Sequence, residues 1–279
     1  MMEAALKLPP GTCDCHIHVF DPRFPYAAGD RLQPKPASVV EYRAMQARVG
    51  AERSVVVQPS PYGTDNRCTL AALTELGETA RGVAVVSVDV PDAELERLHA
   101  AGMRGLRFNL SRGGAGPEAM RRLAPRVAAL GWHIDIHLAG EELPSVGDLL
   151  RSLEAPIVFD HLGRVPQPEA ERHPAFRLIA DLLQAGRAWV KLSQLHRDSR
   201  DGPPGYADAG RLVRRYLELA PERLVWGTDW PHVVATAPVD EAAELRLLLD
   251  WIPEERLRRR VLAENPAELY DFPPLRSAA

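Results

Sequence analysis

The chain has 279 residues, 46% of them apolar, and a formal charge of -4. This balance supports a full globular core and excludes the basic footprint of a nucleic-acid binder. No apolar run approaches the roughly 18 residues that span a bilayer, and "MMEAALKLPPGTCDCH" has neither a basic start nor a long apolar stretch, so neither a membrane span nor a secretory leader is expected.

The first apolar run, "CDCHIHV" from Cys13, reads as a strand. Side chains on a strand alternate between faces, which predicts Asp14, His16 and His18 on one side and Cys13, Cys15, Ile17 and Val19 on the other. The back is apolar and the front carries metal-competent groups. The three cysteines, Cys13, Cys15 and Cys68, are too few and odd in number for a disulfide framework and fit a reducing cytoplasm.

Seven more strand-like runs follow: "SVVVQPS" from Ser54, "GVAVVSV" from Gly82, "MRGLRFNL" from Met103, "HIDIHL" from His133, "PIVFDHL" from Pro156, "AWVKLSQL" from Ala188 and "RLVWGTDW" from Arg223. Helical patterns separate them. "PEAMRRLAPRVAALG" has Pro117 near its start and Gly131 just past its end. "AFRLIADLLQAG" and "AGRLVRRYLELA" read the same way.

Eight alternating units predict parallel strands with right-handed crossovers, and their number and length match a (β/α)8 TIM barrel. A doubly wound open sheet would place a Gly-rich phosphate turn after its first strand. "HVFDPRFPY" stands there instead, and the "GGAG" at Gly113 follows the fourth strand, where it reads as a flexible active-site loop. No linker or repeat divides the chain, so residues 1–279 are expected to form one domain.

Functional groups in such a barrel gather where strands end. The first strand brings His16 and His18, the second Gln58 and Ser60, and the fourth Arg107 and Asn109, with Arg112 in the following loop. The fifth brings His133, Asp135 and His137, the sixth Asp160-His161, and the eighth Asp229.

This constellation resembles the amidohydrolase superfamily. "VVVQPSPYGTDNR" (55–67), "GLRFNL" (105–110), "VFDHLGR" (158–164), "VWGTDWPH" (225–232) and the terminal "ENPAELYDF" narrow the resemblance. They are similar to the branch that contains 2-pyrone-4,6-dicarboxylate lactonase and sugar-acid lactonases. The resemblance implies a metal-dependent-hydrolase type of barrel acting on a small anionic lactone. Binuclear relatives bridge two metals with a lysine on strand four or five. Here strand four offers Arg107 and Asn109, strand five has no lysine, and Lys191 lies in strand seven. At most one ion is therefore expected, zinc or manganese, at His16, His18 and Asp229 with His137 or His161. A metal-independent site is the other option that the branch allows.

Lactone hydrolysis needs a base for water, an electrophile for the carbonyl and donors for the oxyanion. Asp229 is the candidate base, with a helix N-cap as its alternative role. His16, His18 and His161 would polarise the carbonyl, unless His161 is merely structural. His137 reads equally as ligand, substrate donor or packed interior residue. Arg107 and Arg112, then Arg197 and Arg200, suit a substrate carboxylate. Asn109, Gln58 and Ser60 offer neutral hydrogen bonds, although Gln58 and Ser60 would equally pin their loop. Tyr26 and Tyr62 sit in loops placed to cover the site. A metal-dependent decarboxylase and a non-catalytic sugar-acid-binding barrel are the competing functions.

Overall fold

Each of the eight runs forms a strand: β1 (Cys13–Ile17), β2 (Arg53–Val57), β3 (Ala80–Ala84), β4 (Met103–Asn109), β5 (His133–His137), β6 (Ile157–Phe159), β7 (Ala188–Leu192) and β8 (Leu224–Trp226). The computed structural model describes residues 6–28, 32–112 and 115–273. Gly113 and Gly114 of the "GGAG" loop and residues 1–5 lie outside that set. The strands pair in parallel and in sequence order, β1 to β8. The ring closes because Asp229 N–H donates to the His16 carbonyl at 2.8 Å and His18 N–H to the Trp230 carbonyl at 2.8 Å. This is a TIM barrel, not an open doubly wound sheet.

The helices follow the expected signals. α1 (Val39–Val49) starts with a capping box, Ser38 and Glu41 satisfying each other's backbone N–H groups. Between α2 (Arg67–Leu76), α3 (Asp92–Ala100) and α5 (Gly147–Ser152) lies α4 (Pro117–Ala128). It opens on Pro117, and Gly131 takes a left-handed φ of 71° just beyond its end. α6 (Pro174–Gln184), α7 (Ala207–Leu219) and α8 (Glu241–Trp251) complete the outer ring. Among the described residues, no helix is long and apolar enough to cross a membrane.

The face assignment of β1 needs correction. Cys13 pairs with Arg53, Asp14 with Ser54, and Ile17 with Val56, so β1 spends three steps where β2 spends two. The extra residue is a β-bulge, which reverses the inside–outside parity of the residues beyond it. Cys13 and Cys15 pack inside the barrel with Val55, Val57, Val158, Trp189, Val225 and Tyr270. Ile17 joins the outer core beneath the helices. His16 and His18 turn inward, but Asp14 leaves the set. Its carboxylate accepts from Thr228 N–H at 2.8 Å, Thr228 Oγ1 at 2.6 Å and His16 N–H at 3.3 Å, tying β1 to the end of β8. Burial lifts the Asp14 carboxyl to about 7, against the pull of the Thr228 hydrogen bonds. Gly227 permits the close approach, since a Cβ there would stand 2.8 Å from the His16 nitrogen.

Candidate active site

The inward side chains of the strands form three levels. The floor is apolar and sealed by Tyr270, whose ring meets the His133 ring edge-on at 5.2 Å. His133 therefore belongs to the floor. The middle level is charged and fully buried. Lys191 from β7 reaches Asp135 Oδ2 at 2.5 Å, Asp160 Oδ1 at 3.2 Å and His16 Nδ1 at 3.2 Å. Burial would raise the Asp160 carboxyl, but nearby positive charge, led by Lys191, holds it well below the ordinary range. Removing one member of such a buried set costs about 3–5 kcal/mol because its partners stay buried and uncompensated.

The upper level is the mouth. Asp229 Oδ1 lies 3.4 Å from His16 Nε2, 3.6 Å from His18 Nε2 and 3.8 Å from His161 Nε2. His18 Nδ1 sits 2.8 Å from the Val57 carbonyl, an acceptor, so Nδ1 carries the hydrogen and Nε2 presents its lone pair to the site. His161 Nδ1 is 2.9 Å from Ser193 Oγ. Burial lowers the pKa of His18 and of His161 well below the ordinary imidazole value. Burial and Arg107 push His137 down to about 3. The imidazoles of His18, His137 and His161 are thus neutral at physiological pH.

Backbone strain collects at the same level. His161, Gln194 and Asp229 adopt left-handed φ values of 52°, 50° and 65°. For non-glycine residues each costs on the order of 1–3 kcal/mol, a cost that persists where the surrounding structure over-determines a functional geometry. Asp229 is no helix N-cap, a role that Asp240 fills for α8.

Arg107, Asn109, Ser60, His137 and Arg197 from the sequence reading line the same cleft. Arg107 projects between Asp160 Oδ2 and the Gln58 carbonyl, each at 3.4 Å. Asn109 donates to Ser60 Oγ at 2.8 Å and leaves its own carbonyl oxygen unpartnered. Arg197 donates to Gln194 Oε1 at 3.0 Å.

Other expectations are corrected. Gln58 is committed to its loop, donating to the Gly63 and Asp65 carbonyls and accepting from Thr69 Oγ1. Tyr62 exchanges hydrogen bonds with the Asp21 backbone, and Tyr26 donates to the Pro34 carbonyl, so both brace loops. Arg200 is exposed, its backbone N–H donating to Asp208. His137 lines the cleft and approaches Asp160 at 3.9 Å, but it falls outside the His16, His18 and Asp229 cluster that could hold an ion. The side chain of Arg112 lies outside the described residues.

Sequence reading passed over Gln194, whose amide donates to Asp229 Oδ2, and gave no joint role to Asp135, Asp160 and Lys191, although it placed them on strands five, six and seven. Their inward parity on β5 and β7, and the Asp-His pair ending β6, were the available signals.

The mouth residues suit one divalent cation. Tetrahedral zinc with bonds of about 2.0–2.1 Å holds its ligand atoms roughly 3.4 Å apart, close to the spacings around Asp229 Oδ1. His16 Nε2 is buried without a hydrogen-bond partner, which a ligand or substrate would satisfy. A second potential set, His16, Asp160 and His161, already has the Lys191 ammonium against two of its members.

Comparison with known proteins shows the family. A family model described as amidohydrolase matches residues 13–272. The chain is similar to a 2-pyrone-4,6-dicarboxylate hydrolase of Comamonas testosteroni, 36% identical over 95% of this chain and 91% of that protein. It is also similar to a 4-sulfomuconolactone hydrolase of Hydrogenophaga intermedia, 34% identical over 94% of this chain and 89% of that one. A solved structure from Agrobacterium tumefaciens superposes with a TM-score of 0.89 at 30% identity, covering 96% of this chain and 98% of its own.

Proposed function

Because the chain belongs to the amidohydrolase family, we propose that it is a hydrolase that opens a carboxylate-bearing lactone with water activated by Asp229. The observation that carries this reading is the meeting of Asp229 Oδ1 with three imidazoles at 3.4–3.8 Å. Asp229 takes a proton from water as the water oxygen adds to the lactone carbonyl carbon. Imidazole donors around the site hold the developing oxyanion. The ring C–O bond then breaks, and the proton held by Asp229 returns to the leaving oxygen. Gln194 orients the carboxylate through Oδ2 and leaves Oδ1 for the water. Arg107 and Arg197 grip the substrate carboxylates. Asn109 and Ser60 add neutral hydrogen bonds.

His16, His18, His161 and Asp229 would hold one zinc or manganese ion, which would polarise the carbonyl and acidify water. Elemental analysis of protein purified without chelator should return no more than one divalent ion per chain, and two would overturn this assignment.

The direct test is turnover of 2-pyrone-4,6-dicarboxylate, muconolactones and aldonolactones, before and after exhaustive chelation. Ring opening with release of one acid equivalent supports the reading. Carbon dioxide release would mark a decarboxylase. A product that keeps its lactone ring would mark an isomerase, and tight binding without turnover a sugar-acid-binding barrel.

A further inference from the structure

The buried Lys191 has no part in the chemistry above, yet it touches the ring of His16 from below. Two groups compete for His16 Nδ1. Lys191 Nζ stands 3.2 Å away with hydrogen-bond geometry. Asp160 Oδ1 is also 3.2 Å away, but it has no hydrogen-bond partner, so the ring is poorly aimed at it. An ammonium has only hydrogens to offer, and a ring nitrogen that accepts one cannot also carry its own.

We propose that Lys191 is a positioning residue that holds His16 in the tautomer with its hydrogen on Nε2. That hydrogen then faces Asp229 Oδ1 and the cleft, ready to donate to a carbonyl oxygen. His18, fixed by the Val57 carbonyl, presents a lone pair from its Nε2. The two histidines of the H-x-H pair therefore hold opposite tautomers, although their spacing suits a shared ion. Metal ligation through His16 Nε2 requires the hydrogen to move to Nδ1 and point at Asp160, the usual outer partner of a ligating histidine. Lys191 opposes that move. It makes the mouth a better hydrogen-bond donor and a poorer metal site than its ligand set alone implies.

Two measurements decide this. Long-range proton–nitrogen correlation spectra of metal-free wild-type protein, labelled at histidine with nitrogen-15, report which His16 nitrogen is protonated. The signal is assigned by its loss in His16→Gln. The expected proton is on Nε2, and a proton on Nδ1 overturns the proposal. The second measurement is zinc affinity, by competition with a chromophoric chelator. Lys191→Met should bind zinc about ten- to hundredfold more tightly, the scale on which outer partners act.

Removing an ammonium also favours a cation through charge alone and leaves two buried carboxylates that endanger folding. The double variant Lys191→Met with Asp135→Asn conserves net charge and relieves one of them. A gain of tenfold or more there, with the His16 proton moved to Nδ1, sustains the proposal. A smaller gain overturns it. Should neither variant fold, the wild-type spectrum still decides. The inference rests on the same candidate site, but neither readout uses turnover, so it fails separately from lactone hydrolysis.

Discussion

The floor and the mouth of this barrel are built on the same eight strands and have opposite chemistry. At the floor, Cys13, Cys15, Val55, Val158 and Trp189 close on Tyr270, which is fully buried. At the mouth, His18, His161, Asp229 and Arg107 line an open cleft, and three of the strand-end residues carry strained backbone. Apolar side chains gain by leaving water, so they fill the sealed end. Carboxylates and imidazoles must be paired or solvated, so they occupy the end where loops and a ligand can satisfy them. Between the two, Lys191 neutralises Asp135 and Asp160 where neither water nor apolar packing would serve. The two ends should accordingly respond to substitution along different axes.

The largest effect is expected at the mouth. Asp229→Asn should leave the unfolding midpoint nearly unchanged and lower kcat by about two to four orders of magnitude, the scale of a lost general base. Near-normal turnover in the folded variant would remove Asp229 from the chemistry.

At the floor, Tyr270→Ala should do the reverse. It should cost about 3 kcal/mol or more in urea unfolding, as for other large aromatic truncations. The fraction that remains folded should keep its KM. A raised KM without lost stability would erase the distinction between the two ends.

Arg107→Met tests specificity within the mouth. Losing a charged hydrogen bond costs about 1.5–3 kcal/mol, so KM for anionic lactones should rise by about tenfold or more while neutral lactones suffer much less. Equal losses for both would make Arg107 structural, acting through Asp160 at 3.4 Å.

The smallest effect concerns the loop that follows β7. Asp208 is buried and accepts from Ser199 Oγ and from the N–H groups of Arg200, Asp201 and Ala209. Burial opposes its ionisation, but these donors bring its carboxyl below the ordinary value. Because the folded pKa is depressed, its contribution is present above about pH 4 and lost as pH falls through the folded value. Asp208→Asn should therefore cost roughly 1 kcal/mol at neutral pH, and thermal unfolding curves of variant and wild type should converge on acidification. A gap that stays constant with pH would contradict this.

How far the sequence alone reached can be seen residue by residue. Apolar runs and helical periodicity are local properties, and they marked all eight strands and located α4, α6 and α7. The positions of His16, His161 and Asp229 at strand ends then placed them together, because a closed parallel barrel brings such ends to one side. The bulge in β1 was illegible, since it exists only in the register between β1 and β2. Period-two counting therefore put Asp14 beside the histidines and the cysteines on the opposite face.

The same limit explains the remaining differences. Gln58 has the parity of a cleft residue, but nearby loop carbonyls and Thr69 take up its amide. Lys191 stood in the sequence only as a lysine in the wrong strand for bridging two metals. Its contacts with Asp135 and Asp160 and with the ring of His16 join β7 to β5, β6 and β1, across separations of 56, 31 and 175 residues. The sequence by itself thus determined the barrel, its strands and most of the polar groups at its mouth, because these follow from local hydrophobic period. Tertiary structure alone decided which groups meet and which nitrogen of His16 faces Lys191, because hydrogen bonds depend on ångström-scale register that no local pattern encodes.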